Sequence, residues 1–325
     1  MKMMVTGGAG FIGANFILYW LKKYPDDTIV NYDALTYAGN PKNLASVEKL
    51  PNYKFVQGNI CDQTLVDSTI KTNSIEKIVH FAAETHVDRS IADASPFVKT
   101  NVEGTYVLLQ AAVNNKLRHF HHISTDEVFG HLELGSDLKF TINSPYNPRS
   151  PYSASKAGAD HLVRAYHSTY GLPITISNCS NNFGPYHYPE KFIPLAITNL
   201  LQNKKVPVYG DGLNVRDWLY VEDHCRAIDL ILTRGQVGKT YLVGGLTEDI
   251  SNLAVVKKIC AMMKKDETMI EFVDDRLGHD RRYAIDWSKT KEELGWEPTH
   301  TFDQALQLTI DWYTENESWW KEKKI

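Results

Sequence analysis

The segment Thr6-Gly7-Gly8-Ala9-Gly10-Phe11-Ile12-Gly13 does most to limit what this chain can fold into. It follows a β-branched and apolar run at 2–6 and opens a stretch with apolar residues at three-to-four spacing at 12–24, so it reads as a strand-to-helix turn. Glycines there permit a tight turn and let backbone N–H groups approach a pyrophosphate at a helix N-terminus, where the dipole favours negative charge. Gly-x-Gly-x-x-Gly alone is weak evidence; its position between strand and helix gives it weight. Asp33 closes the next β-type run, twenty positions beyond Gly13, where a carboxylate would accept hydrogen bonds from a ribose 2′-hydroxyl. The same carboxylate would repel a 2′-phosphate, and Ala34 and Leu35 supply no cation. NAD is therefore expected in preference to NADP.

Runs at 53–57, 77–82, 119–124 and 174–178 read as further strands, and 65–72, 96–114 and 153–170 as helices. Strand alternating with helix implies a parallel sheet covered on both faces by right-handed crossovers. After about residue 181 turns multiply (Gly184-Pro185, Gly210-Asp211-Gly212, Gly244-Gly245) and Trp and Tyr become frequent. The expectation is an α/β fold, a Rossmann-type doubly wound parallel sheet over 1–180 with a smaller C-terminal α/β substrate-binding lobe over 181–325, some of 220–245 returning to the sheet. At 325 residues the chain is about two domains long.

Composition removes several classes of partner. With 35 basic and 39 acidic residues the formal charge is −4, which argues against a nucleic-acid binder. No apolar run approaches a membrane span, and with the glycine motif starting at Thr6 no signal peptide is expected. Cys61, Cys179, Cys225 and Cys260 are far apart, as expected of a reduced, cytoplasmic protein. His119 and His121 alternate along one strand without a carboxylate or Cys at ligand spacing, so they read as packed or satisfied side chains, and no metal is expected.

Tyr152 and Lys156 lie four apart and would share one face of a helix. A free phenol is a poor base at neutral pH, but a nearby ammonium and a positive nicotinamide ring would both favour the phenolate. Ser124-Thr125-Asp126-Glu127 ends a preceding strand, the place where parallel sheets hold their ligands.

With these residues in view the chain resembles the extended short-chain dehydrogenase/reductases, and among them the branch of nucleotide-sugar 4,6-dehydratases that take dTDP-glucose. The resemblance runs nearly end to end, through TGGAGFIG, DALTYAGN, FAAETHVDRSI, STDEVFG, PYSASKAGADH, NCSNNFGPYHYPEKFIP, YGDGLNVRDWLYVEDH and DRLGHDRRYAID. Thr125-Asp126-Glu127 is its specific element. The resemblance implies an NAD-dependent hydro-lyase of rhamnose-type deoxysugar biosynthesis, and a homodimer held by a four-helix contact. Tyr152 would accept the C4 hydroxyl proton, Glu127 would remove the C5 proton, and Asp126 would protonate the departing C6 hydroxyl. Thr125 would bond the C4 oxygen, and Lys156 would hold the ribose and bias Tyr152.

The resemblance also implies cofactor contacts at Gly7, Gly10, Phe11, Ile12, Gly13, Asp33, Ala34, Leu35, Thr36, Asn59, Ile60, Phe81, Ala82, Ala83, Thr100, Tyr152, Lys156 and Asn182. Core packing is an equal explanation for Ala82 and Ala83. Asn59 stands where the family usually has Asp, and would still accept from an adenine amine through its carbonyl. Substrate contacts are implied at Thr85, Thr125, Asn181, Lys191, Phe192, Pro207, Val208, Tyr209, Arg216, Asn252, Arg276 and His279, with Leu277 in place of the usual Pro. Arg216, Arg276 and His279 would hold the diphosphate. A UDP- or CDP-sugar, a nucleotide-sugar 4-epimerase, and a non-catalytic NAD-binding regulator remain as alternatives. An epimerase shares Tyr152 and Lys156 but has no use for an acid–base pair at 126–127.

For the dimer, the stripes expected to need cover are Phe97, Val102, Val107, Leu108 and Ala111 on one helix and Ala157, His161, Leu162, Ala165 and Tyr166 on the next. The competing cover is the chain's own segment at 306–320.

Overall fold

The computed structural model describes residues 1–245, 249–275 and 278–324. From the N-terminus, β1 (Lys2–Thr6), α1 (Phe11–Lys23), β2 (Thr28–Asp33), β3 (Tyr53–Gln57), α2 (Gln63–Asn73) and β4 (Lys77–His80) lead into the short helices α3 (Val87–Ala92) and α4 (Ser95–Phe97). A π-helical turn over Val98–Gly104 then joins α4 to α5 (Thr105–Asn114), followed by β5 (His119–Thr125), α6 (Pro151–Tyr170) and β6 (Ile174–Cys179). The spans read from apolar spacing agree to within two residues, with one difference inside 96–114. There the helix widens to a π turn, a change of hydrogen-bond register that side-chain spacing does not report.

The remaining chain forms β7 (Asn181–Phe183), α7 (Phe192–Leu201), β8 (Val206–Tyr209), β9 (Val215–Arg216), β10 (Trp218–Tyr220), α8 (Val221–Arg234), β11 (Thr240–Val243), β12 (Ile250–Ser251), α9 (Asn252–Met262), β13 (Ile270–Val273), α10 (Ser288–Leu294), α11 (Phe302–Glu315) and α12 (Glu317–Lys321). Seven strands make one parallel sheet in the order β11-β6-β5-β4-β1-β2-β3. Its direction of winding reverses between β1 and β4, so a crevice opens beyond their C-terminal ends. The two-strand pairs β7–β10, β9–β12 and β8–β13 lie outside this sheet.

Each face of the sheet has its own core. Phe16, Ile17 and Trp20 of α1 pack with Ile228 and Ile231 of α8 on one face. Leu108 and Ala111 of α5 pack with Val163 and Tyr166 of α6 and with Ile70 of α2 on the other. A third core joins α7, α9 and α11, with Trp320 fully buried in it. The segment at 306–320 is committed to that core, so it does not cover α5 or α6.

The apolar stripes expected on those helices need correction. Phe97, Val107, Leu108, Ala111, Ala157 and Tyr166 are buried within the chain itself, because α5 and α6 pack on each other as well as on the sheet. Val102 and Leu162 are half-buried, and His161 and Ala165 are exposed. The outward apolar surface is set instead by Val98, Tyr106 and Tyr170, at 55%, 45% and 58% exposure. No helix among the described residues is long and apolar enough to cross a membrane.

Candidate active site

At the C-terminal end of β1 the backbone of Gly7 turns to φ +70°, and a Cβ there would lie 2.6 Å from Ala82 N. A Cβ on Gly13 would lie 2.3 Å from Gly7 O. Both contacts are backbone against backbone, so neither site admits a side chain. The bare turn leaves the first N–H groups of α1 without intrahelical acceptors and facing the crevice. Asp33, buried at the end of β2, accepts from Ala9 N at 2.9 Å through one oxygen and from Leu35 N at 2.8 Å through the other. It therefore ties the glycine turn to the β2 loop as well as standing where a ribose would lie. Burial pushes its carboxyl upward, and these two bonds act against that. Ala34 and Leu35 are half-buried and Thr36 is exposed beside it.

The rest of the expected cofactor path lines this crevice unevenly. Phe11 stacks on His187 with ring centroids 4.2 Å apart, and Ile12 packs against the α1-side core. Ile60 and Phe81 also contribute to the two cores. Ala82 packs on the core while its N–H faces Thr6 Oγ1 at 3.4 Å; Ala83 is half-buried. The exposed Asn59 spends its carbonyl oxygen on Cys61 N at 2.9 Å, a local turn that the sequence reading did not foresee. Asn182 bonds Ser180 O at 2.9 Å and His224 Nδ1 at 2.9 Å. Thr100 sits in the π turn. A bare glycine turn, first-turn N–H groups and a buried carboxylate at the next strand end fit a dinucleotide.

Thr125 caps the short turn Asp126–Phe129, its hydroxyl accepting from Glu127 N at 3.2 Å. It also lies near the phenol of Tyr152, on which it acts against the upward push. The two acids that follow differ in setting. Asp126 is 1% exposed and Glu127 is half-buried. Burial, then the charges of Glu127 and Asp217, push the Asp126 carboxyl well above the usual carboxylate range. A carboxyl pushed toward its neutral form thus sits beside a better-solvated one, the kind of separation that divided acid and base duties need.

Tyr152 enters from α6, which starts with Pro151 and a capping box between Ser150 and Ser153. Its backbone N–H donates to Ser90 Oγ at 3.2 Å. The expected lowering of its phenol by an adjacent ammonium is not what the chain alone produces. Burial first, and then the carboxylate of Glu127, push the phenol well above 10. Lys156 points its ammonium at Ile123 O, 2.8 Å away, and burial draws it down to about 8. Sharing a helix face brought the two side chains to one crevice, but the lysine's hydrogen bond goes to the strand.

The expected substrate residues approach from the far side. Lys191 Nζ reaches Thr85 O at 3.3 Å, and Phe192 stacks on Trp218 with centroids 6.0 Å apart. Buried Arg216 donates to Val215 O at 2.7 Å and Asp280 O at 3.0 Å, and lies over the Tyr283 ring at 4.5 Å. It acts electrostatically on Asp126, which places it near the acid turn. His279 pairs with Asp275 at 2.6 Å, and its ring meets Tyr209 edge-on. Pro207 is half-buried and Tyr209 is 42% exposed, but the Val208 side chain is fully buried in the third core, so only its main chain remains for a ligand. Asn181 Oδ1, Asn252 Oδ1 and Trp218 Nε1 are buried and find no partner among the described residues, as polar atoms awaiting a ligand would. Arg276 and Leu277 lie outside the described residues.

Sequence reasoning missed several groups. Asn101 in the π turn bonds both Glu84 N (2.8 Å) and Glu84 O (3.0 Å), and also Ser155 Oγ of α6 (2.8 Å). Asp160 acts electrostatically on Lys156, and Tyr283 lies within reach of the Glu127 charge. Asp160 alone carried a signal, the continued four-residue interval after Tyr152 and Lys156. His119 and His121 are satisfied by Thr175 at 2.7 and 2.8 Å, and no cluster suited to a metal occurs among the described residues.

A sheet that delivers a dinucleotide turn and a Tyr–Lys helix to one crevice is the working arrangement of the short-chain dehydrogenase/reductase class, and this chain is built on it. More particularly, it belongs to the GDP-mannose 4,6-dehydratase family, whose model matches residues 4–309. A dTDP-glucose 4,6-dehydratase of Xanthomonas campestris is 52% identical to it, over 97% of this chain and 94% of that one. The solved structure of a dTDP-glucose 4,6-dehydratase from Streptomyces venezuelae with NAD bound matches with a TM-score of 0.96 at 47% identity, covering 100% of both chains. One from Bacillus anthracis in complex with NAD matches at 0.93 and 49%, again covering 100% of both.

Proposed function

We propose that this chain converts dTDP-glucose to dTDP-4-keto-6-deoxy-glucose and water, using NAD. The observation that carries the reading is the unequal carboxyl pair in the turn after β5: Asp126 fully buried and pushed toward its neutral form, Glu127 half-buried beside it. Tyr152 takes the proton of the C4 hydroxyl while Thr125 bonds the C4 oxygen. Once C4 is a ketone, the C5 hydrogen is acidic, and Glu127 removes it. Asp126 gives its proton to the departing C6 hydroxyl, which leaves as water, and C5 takes back a proton once C6 has been reduced, completing the 4-keto-6-deoxy sugar. Bound NAD supplies the hydride acceptor at C4 and the hydride donor at C6, so the reaction has no net redox change. Asp33 selects it over NADP by like-charge repulsion. Lys156 holds the ribose, and a positive nicotinamide ring beside Tyr152 would oppose the upward push on the phenol.

Asn181, Lys191, Phe192, Arg216, Asn252, Arg276 and His279 are assigned to the nucleotide-sugar. We divide the chain near residue 180, the C-terminal part supplying most substrate contacts and 220–245 returning to the sheet. The setting we assign is rhamnose-type deoxysugar biosynthesis in the cytoplasm. The assembly we assign is a homodimer through α5 and α6, supported by exposed Val98, Tyr106 and Tyr170 along that face.

The test is turnover of dTDP-, UDP- and CDP-glucose in heavy water, read by the absorbance of the 4-keto product in alkali. Deuterium at C5 of a dehydrated dTDP-sugar is expected. C4 inversion without loss of water would mean an epimerase instead.

A further inference from the structure

Three segments that leave the C-terminal ends of strands around the crevice are fastened to one another. The loop after β2 carries Tyr37, the segment after β4 carries Arg89 on α3, and the loop after β7 carries Tyr188 and Glu190. One side chain joins all three. The Arg89 guanidinium lies over the Tyr37 ring, 4.1 Å from its centroid, and Arg89 Nη2 is 3.1 Å from Glu190 Oε2. The other Glu190 oxygen lies 3.6 Å from His86 Nε2, immediately before α3. Tyr37 also meets Tyr188 edge-on, with centroids 5.5 Å apart.

The β7 loop is the braced member of the set. Tyr186 holds φ +66°, a left-handed conformation that a tyrosine rarely adopts, and packs its ring on Trp312 and Trp319 at 4.9 and 6.0 Å. Asn15 of α1 donates to Pro185 O at 2.9 Å, and Tyr313 of α11 donates to His187 O. With His187 stacked on Phe11, this loop is fixed to the helix whose N-terminus faces the crevice. Against it, Arg89 and Glu190 keep 49% and 26% of their side chains exposed, so their contact can part without opening a core.

We infer that Arg89, Glu190 and Tyr37 form a clasp across the dinucleotide crevice that sets how fast NAD leaves. Tyr37 follows Asp33 by four residues and Glu190 precedes Lys191, so the clasp ties the end expected to hold the ribose to the end expected to hold the sugar nucleotide. Its purpose rests on the dehydratase reading. In that reaction the hydride taken from C4 returns to C6, and a reduced dinucleotide that left midway would strand a ketone. The clasp itself concerns only the release of dinucleotide.

The experiment loads full-length protein with NADH, mixes it with a large excess of NAD, and follows the fluorescence of bound NADH as it is released. Arg89→Ala removes the ion pair and the ring contact together, and release should quicken by about tenfold. Glu190→Gln removes the carboxylate charge alone and should give about threefold. Added to Arg89→Ala it should do little more, because both side chains act through one contact. Effects that multiply independently would mean a general loosening of the loops and would overturn the clasp, as would an unaltered release rate in Arg89→Ala. In turnover of dTDP-glucose without added NAD, Arg89→Ala should lose activity with time and regain it when NAD is supplied.

If Arg89→Ala does not fold, the wild type decides. An exposed pair is screened by salt, so release from the wild type should quicken as salt is raised; release indifferent to salt overturns the proposal. If the wild type leaves dTDP-glucose unchanged while Arg89→Ala releases NADH faster, the dehydratase reading fails and the clasp stands. Normal turnover with release unmoved by Arg89→Ala means the reverse.

Discussion

Asp126 and Glu127 share a turn and differ in solvent, and that difference makes their roles separable by mutation. Glu127→Gln keeps the size and removes the base, so C4 oxidation should proceed and C5 deprotonation should stop. Stopped-flow mixing with dTDP-glucose should then show the near-ultraviolet band of reduced dinucleotide persisting, with dehydration slowed by about 10²-fold or more. Normal dehydration by this variant would remove Glu127 from the mechanism. Tyr152→Phe acts one step earlier. It deletes the group assigned to the C4 proton, so the same mixing experiment should give no such band while dTDP-glucose still binds in calorimetry. The resemblance implied these roles, and the residue types and spacing behind it were legible in the sequence. The upward push on the Tyr152 phenol was not, because it comes from burial and from Glu127, which no local pattern reports.

At the scale of elements, α6 starts where the chemistry needs a fixed point. Ser150 accepts from Ser153 N at 3.1 Å, and Ser150 N donates back to Ser153 Oγ at 3.1 Å. Tyr152 lies inside that first turn. Ser150→Ala should cost about 1 kcal/mol of stability, seen as a lower urea midpoint at unchanged m-value, and kcat should fall more than KM rises because the loosened turn carries Tyr152. An unaltered midpoint would show that Pro151 and the packing of α6 suffice. The strand and helix spans were readable because burial on one face imposes a period. The π turn at Val98–Gly104 was not, since it is defined by which carbonyl each N–H selects. Its consequence is local and specific: Asn101 bridges Glu84 to Ser155 of α6.

For the whole molecule, acid stability follows from histidines in the core. His80, His119, His121, His122, His187 and His224 are all pushed below 6.5 by burial, His119 and His122 to about 4 and His224 to about 3. With folded values below unfolded ones, the unfolded chain binds more protons as pH drops, so stability is lost from about pH 6.5 downward. Each fully buried histidine contributes a slope of about 1.4 kcal/mol per pH unit in that window. Asp126 and Asp33, raised by burial, run the other way and offset part of it. Asp160, lowered, adds its loss only below the ordinary carboxylate range. Thermal scans should therefore show Tm dropping steeply between pH 6.5 and 5; a flat profile there would contradict neutral burial of these rings. The outward face of α5 and α6 gives the second test. Light scattering should find a dimer, and a charge at Tyr106, as in Tyr106→Glu, should shift it toward monomer with lower activity. A fully active wild-type monomer would refute the assembly.

The sequence by itself determined the sheet, the glycine turn, the Asp33 position and the Tyr-x-x-x-Lys face, because each is a local pattern with one sterically economical outcome. Turn glycines at 7 and 13, an acid at a strand end and residues four apart on a helix need no knowledge of distant chain. Only the tertiary structure decided what those groups meet: Lys156 on Ile123 O, Arg216 over Tyr283 and close to Asp126, Val208 turned into a core, and Asp160 gathering donors from three separate segments. Such partners lie tens of residues apart along the chain. Their charges and protonation are set by shared burial, which exists only once the sheet has closed over them.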